Sequence, residues 1–370
     1  MMATANGVDA MLVRVLAAAA LLGLAPIAVA GQINTGGETG AYHATFCPPL
    51  AEALHKNKFD FTCTASDGSL ENIQRAAGDP TQIGFSQLDA FSLQSEDLGA
   101  PNLFTRVRSD IARECVFMVT RNRGITNFGE VASVAQQLRF VLPPAKSGSV
   151  ATFRVLQRID PQGLGMARNI TYASTVDDAI NEALKSDDTF TLFVQFPDPN
   201  NERFKLIAKQ GGNIVPVIDR AILRQEADGE KIYFADETEI TPAKWTKSAA
   251  KIVTSCTPML LFTGASDRIA DASARKDQDD LVRTIRALPL ADLRPKESVL
   301  AALWRRGAAL SAQGVEKLLA LSDKAREQAK PTLDAAMKKA QEMSAEAQKQ
   351  AKGLLDKAQK ATKTGDGTSN

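Results

Sequence analysis

The sequence predicts a mixed α/β protein of two lobes joined by hinge strands, followed by an α-helical C-terminal extension. Three features lead to this. Short apolar strands alternate with amphipathic helices in two successive units, long β-rich runs bound those units, and strand signals stop after about Ser266.

In the first unit, Gln32–Thr35 reads as a strand. Tyr42–His55 reads as a helix, with Phe46, Leu50 and Leu54 at a spacing of four. Phe59–Thr64 and Gln82–Phe85 are further strands, Ser69–Ala77 is a helix between them, and another helix begins near Leu88. A β-α-β-α-β order of this kind calls for a parallel sheet covered by helices. Glu114–Thr120, ECVFMVT, is the β-rich run that closes the unit.

The second unit repeats the pattern. Leu138–Leu142 and Ile170–Ala173 are strands, each followed by a helix, Ser149–Arg158 and Val176–Lys185. Thr189–Phe196, TFTLFVQF, is the most β-prone segment. Asn213–Ile218 and Lys231–Phe234 add short strands, and Lys251–Thr263 is a second long apolar run. The expected division is 31–113 with 255–285 for lobe 1 and 114–254 for lobe 2. A helical extension follows over 286–363 and a disordered tail over 364–370. Asp277–Leu288, Pro295–Leu310 and Val315–Lys360 supply the extension's helices. Within the last, Leu333, Met337, Ala340, Ser344, Ala347, Ala351, Leu354 and Ala358 form an alanine-rich heptad seam, too poor in apolar area for strong association. Residues 323–363 carry ten Lys or Arg against six acids, so the tail reads either as a solvated helix or as a surface for a partner of unknown kind.

Residues 1–30 read as an export signal. Arg14 precedes a fifteen-residue apolar run, Val15 to Val29, which ends in Ala28-Val29-Ala30. At under 20 residues and broken by Pro26, the run is short for a membrane span; an uncleaved anchor is the other reading. Met11 is a second candidate start. A periplasmic location is therefore expected, and with it an oxidising environment. There Cys47, Cys63, Cys115 and Cys256 are either two disulfides, of three possible connectivities, or buried thiols.

Composition narrows the function. Forty-four Lys and Arg against 43 Asp and Glu give a net charge of +1, which makes no whole-protein case for nucleic acid. Two histidines and four dispersed cysteines cannot form a CxxC…CxxC or HExxH zinc site. His43 and Cys47 lie four apart, but two ligands are too few for a metal. No GxSxG or other nucleophile motif is present, and Asp177-Asp178 and Asp279-Asp280 read as solvated charge. The sequence thus points to no enzyme, metal or cofactor.

Three Gly-containing loops run from a strand end into a helix start: Asn34 to Gly40, Thr64 to Asn72 and Pro143 to Ser149. The first N–H groups of a helix lack internal partners and carry its positive dipole end. Gly admits a ligand close to that backbone, and Ser adds a hydroxyl donor. Loops at the carboxyl ends of parallel strands share one sheet edge, so loops from two lobes would face each other around a small anion. Lys146 is either the counter-charge for that anion or a solvated loop lysine. Tyr42 either stacks on a ligand or covers the core.

GGETGAY (36–42), SDGSLEN (66–72), IGFSQLDAF (83–91) and PPAKSGSVATFRVL (143–156) together resemble the successive signatures of the TAXI family. These are the extracytoplasmic solute receptors of TRAP-type transporters, and the resemblance spans roughly Gln32 to Thr263. It implies a type II periplasmic binding protein fold that closes on a small carboxylate or amino-acid ligand and passes it to membrane permease subunits. By this resemblance Thr35, Gly36, Gly37, Tyr42, Ser69, Asn72 and Gln87 line the cleft from lobe 1, and Ser147, Gly148 and Ser149 from lobe 2. The chain departs from the family at Ala145-Lys146, which lengthens the loop and adds a charge. It also has Ser186–Phe190 and Phe196–Pro199 where the family has Gly-x-Ile-Asp-Ala. The helical extension is a third departure. The alternative implied is an exported sensory or interaction protein that keeps the receptor fold and acts through its tail.

Overall fold

A computed structural model describes residues 31–99, 101–241, 249–294 and 314–331, with single helical positions out to 352. The export signal 1–30, the Pro295–Leu310 helix, all eight heptad-seam positions and the 364–370 tail lie outside the described residues.

The lobe 1 sheet comprises β1 (Gly31–Asn34), β2 (Phe61–Thr64), β3 (Ile83–Gln87), β4 (Phe104–Arg108) and the C-terminal half of β13 (Ala250–Gly264). Their order is β2-β1-β3-β13-β4, with β1 to β3 parallel and β13 antiparallel to both neighbours. Lobe 2 is built from β5 (Arg113–Thr120), β6 (Arg139–Leu142), β7 (Asn169–Tyr172), β8 (Thr189–Gln195) and β9 (Asn213–Pro216). Its order, β7-β6-β8-β5-β9, repeats the first, with β5 as the antiparallel strand. In each lobe, then, the antiparallel strand is the one that crosses over from the other lobe. This reciprocal exchange makes two lobes joined by hinge strands, as the sequence leads one to expect.

Helices cover both faces of each sheet, which is why Glu114–Thr120 and Thr189–Phe196 are apolar almost throughout. In lobe 1, α1 (Cys47–Lys56), extended at its start by a π-helical stretch, Tyr42–Phe46, and the edge of β3 bury Phe46, Leu50, Leu54 and Phe85. On the opposite face α2 (Ser69–Gly78) and α3 (Leu88–Asp97) pack Ile73 and Phe91 against Phe262. In lobe 2, α4 (Phe128–Val134) and α5 (Gly148–Ile159) cover one face through Phe128, Phe140 and Phe153. α6 (Val176–Ala183) and α7 (Glu202–Lys209) cover the other through Ile180, Phe193 and Phe204. A short α8 (Arg220–Leu223), a hairpin of β10 (Glu226–Ala227) and β11 (Glu230–Lys231), and β12 (Phe234–Thr241) lead into β13.

Both disulfides are formed. Cys47–Cys63 ties α1 to β2, and Cys115–Cys256 joins directly opposed residues of the two crossing strands. Other boundaries shifted. β3 runs to Gln87, two residues past the apolar core of the expected strand, because pairing with β13 continues to Met259. β4, α4 and α7 had no sequence expectation. β4 alternates charged and apolar residues at a sheet edge, while α4 and α7 are seven- and eight-residue helices, too short for a clear period.

The C-terminal segment docks on both lobes. α9 (Ala272–Ala287) and α10 (Leu290–Leu293) join lobe 1, where Leu281, Ile285 and Leu293 enter the core. The helix α11, residues 314–331, lies on lobe 2. Its Arg326 pairs with Asp160 at 2.8 Å and Asp219 at 3.0 Å, and its guanidinium sits 5.6 Å from the Phe128 ring. Arg220 returns the contact to Asp323, at 2.8 Å, and to Glu316. Gly129 has no room for a Cβ because the Ser322 backbone fills that space. Arg326→Ala would leave two buried carboxylates without their counter-ion, so we expect a loss of about 2–4 kcal/mol in urea unfolding, with Arg326→Lys retaining part of it.

Candidate functional site

The site lies where the two lobes meet. Gly68 starts α2 with φ at +130°, a conformation that suits glycine, and a Cβ there would lie 3.1 Å from both the Lys146 carbonyl oxygen and the Ser147 Cα. The two Ser/Gly loops of opposite lobes therefore touch through backbone. Ser147 caps α5, its hydroxyl accepting the Val150 N–H at 3.4 Å. Gln87, the last residue of β3, reaches between the two helix starts. Its Oε1 accepts from Ser69 Oγ at 2.7 Å, and its carboxamide fills the space where a Gly148 Cβ would stand. Lys146 crosses to Asp67 of lobe 1 at 3.0 Å, an exposed pair screened by solvent. Arg158–Asp97 and Arg106–Glu230 are further ion pairs between the lobes.

Beneath these loops lie acids. Asp89, in the first turn of α3, is fully buried. It accepts from Thr152 of α5 at 2.6 Å and from the Tyr233 hydroxyl at 2.7 Å, so a lobe 1 carboxylate is held by lobe 2 donors. Burial raises its carboxyl above the usual range against the pull of these hydrogen bonds. Glu114, at the start of β5, accepts from the Tyr42 hydroxyl. Burial pushes it up to about 8; the Tyr42 hydrogen bond opposes this and the charge on Asp89 adds to it. The Tyr42 ring stacks on Phe85 at 5.3 Å.

The floor under the acids is β13. Ser255 and Thr257 are wholly buried there, and their hydroxyl oxygens have no hydrogen-bond partner.

Of the residues expected from sequence, Ser69, Gln87, Lys146, Ser147 and Gly148 come together at the lobe junction. Tyr42 joins them by way of Glu114. Thr35 and Asn72 lie a layer deeper and hold the loops: Thr35 Oγ1 donates to the Thr64 carbonyl at 3.0 Å, and Asn72 Nδ2 donates to the carbonyls of Thr35 and Phe85 at 2.6 and 2.8 Å. Ser149 Oγ accepts the Val194 N–H at 2.9 Å. Gly36 and Gly37 lie in a turn with nothing within 4 Å of where a Cβ would be. Sequence reasoning missed Asp89, Glu114, Tyr233, Ser255 and Thr257. Asp89 lay in full view within IGFSQLDAF, as an acid just inside an apolar helix. The sulfurs of Cys115 and Cys256 lie near the Asp236 carboxylate, but they are bonded to each other and so are not thiolate ligands for a metal.

No protein-family model matches the chain, and no curated protein matches it. Among solved structures the chain is similar to PhnD1 from Prochlorococcus marinus in complex with methylphosphonate. Identity there is 10% and the TM-score 0.42, over 80% of this chain and 97% of that one. It is also similar to an ABC-type phosphate transport receptor from Vibrio cholerae (13%, TM-score 0.39, 68% and 94%). A third is the GluR0 ligand-binding core complex with L-glutamate (9%, TM-score 0.38, 79% and 99%). The two-lobed α/β fold itself is read from the strand order and pairing described above. Among the described residues, no helix is long and apolar enough to cross a membrane.

Glu114 gives the site a pH signature. Its carboxyl titrates near 8 when folded, against an ordinary 4.5 in an unfolded chain. The folded state therefore binds more protons between those values. Glu114's stabilising contribution is complete below about pH 4.5 and is lost as pH rises through 8, at up to ~1.4 kcal/mol per pH unit. The raised carboxyl of Asp89 acts in the same direction. Urea unfolding at pH 5, 6.5 and 8 should show this decline, and Glu114→Gln should flatten it.

Proposed function

We propose that this protein is an extracytoplasmic receptor that captures a small solute between its lobes and delivers it to a TRAP-type membrane permease. The solute carries a carboxylate, as an organic acid or an amino acid does. One observation supports the reading above the others: the N-terminal turns of α2 and α5, from opposite lobes, converge on the Gln87 carboxamide. The carboxamide oxygen takes the Ser69 hydroxyl as a carboxylate oxygen would. A solute that displaces Gln87 inherits that bond together with the dipole ends of two helices. It stabilises the closed state through contacts that open lobes cannot make together. Lys146 serves closure through Asp67 and leaves recognition to the helix ends. The permease partner and the periplasmic setting rest on the resemblance of the four loop signatures to the TAXI family and on the export-signal pattern of residues 1–30. No catalytic step belongs to this reading.

A second reading, an exported interaction protein acting through its tail, draws support from α11. Ion pairs fix that helix, residues 314–331, to lobe 2.

Thermal unfolding against a panel of organic acids, amino acids and phosphate separates the two. A ligand at 100 times its Kd adds about 2.7 kcal/mol to the native state, a shift of a few degrees. Gly148→Val places a side chain on Gln87 and should abolish that shift with the circular dichroism spectrum unchanged. A flat panel on the folded wild-type chain would overturn the receptor reading.

A further inference from the structure

Side chains alternate along β13, so Ser255, Thr257 and Met259 share one face. Met259 stands opposite Gln87 in the lobe 1 pairing, and Thr257 stands opposite Glu114 in the lobe 2 pairing. Ser255 stands opposite Ala235, on the face to which Tyr233 belongs. The crossing strand thus lines up a hydroxyl, a second hydroxyl, a carboxyl and a carboxamide beneath the lobe junction, with Asp89 reaching Tyr233 from above.

Two features of this row call for a ligand. The Ser255 and Thr257 oxygens are buried without a hydrogen bond, a condition that folded proteins rarely leave in place. Neither Asp89 nor Glu114 has a Lys or Arg partner among the described residues; their hydrogen-bond donors are Thr152, Tyr233, the Ala90 N–H and Tyr42. All four side chains offer oxygen lone pairs, and two of them can carry negative charge. An ammonium group is the complement: three donors, no acceptor, one positive charge. An anion could take the two hydroxyl protons, but it would lie beside two acids and leave them without a counter-charge.

We propose that Ser255, Thr257, Glu114 and Asp89 form a subsite for an ammonium group of the solute, below the point where its carboxylate meets Ser69 and Gly148. The proposal rests on the receptor reading and narrows its solute to molecules that carry both groups.

The test is calorimetric titration of the purified exported chain with matched probes: L-glutamate against glutarate, L-alanine against propionate, and putrescine as a cation without a carboxylate. In the pair that binds, the amino acid should exceed its deaminated acid at least tenfold. The double variant Ser255→Ala/Thr257→Val should lower amino-acid affinity at least tenfold and leave the deaminated acid unchanged. Its melting temperature should not fall, since the hydroxyls it removes bond to nothing in the protein. Equal affinity for the two members of a pair, or an unchanged preference in the variant, overturns the subsite while the receptor reading stands. A drop in melting temperature without a change in preference assigns the hydroxyls a structural role and also overturns it. Binding of putrescine alone supports the subsite and overturns the carboxylate. No binding by any probe overturns both.

Discussion

A single fifteen-residue strand, β13, belongs to both sheets, and the rest of the molecule is organised by that sharing. Its first half pairs with β12 and β5 in lobe 2 and its second half with β3 and β4 in lobe 1. A β-strand shows alternate faces to alternate residues, so the register of one continuous strand decides which side chains in both lobes face the junction. The Cys115–Cys256 bridge fixes that register to β5 at the crossover. A slip of one residue would turn Ser255, Thr257 and Met259 to the opposite face and bring Cys256 round in their place.

The junction is unusual in its electrostatics. Two buried carboxyls, Asp89 and Glu114, are held by hydroxyl donors rather than by cations. A fully ionised pair at that depth would be expensive, and protonation is the cheaper state until a positive charge arrives. The same groups that join the lobes thus make the interface sensitive to whatever cation or proton is present. The exposed bridges around the rim, Lys146–Asp67 among them, orient the lobes and contribute little energy.

Lobe 2 carries a second cluster of acids, and there the cation comes from the chain itself. Arg326 of α11 satisfies Asp160 and Asp219, which belong to separate elements of the lobe. Residues 314–331 are thereby part of the folded body. Composition alone could place this stretch equally well in solvent or on a surface, because its charges are mixed and its seam is mostly alanine.

By itself the sequence determined most of the strand and helix order, though not β4, α4 or α7, together with the two-unit repeat and the Ser/Gly loops at helix starts. These follow from period, β-propensity and capping, which act between neighbours in the chain. It also placed the loops that hold Ser69, Ser147 and Gly148 on one edge, because loops at the carboxyl ends of parallel strands share it, whereas Gln87 was implied only by the resemblance to the TAXI family. Which cysteines pair was decided by tertiary structure, since three connectivities fit the sequence and the register of β5 on β13 selects one of them. Glu114, Asp89, Ser255 and Thr257 became a site in the same way. Glu114 and Thr257 are 143 positions apart in the chain and opposite each other in the sheet, and no local pattern records a meeting made by long-range pairing.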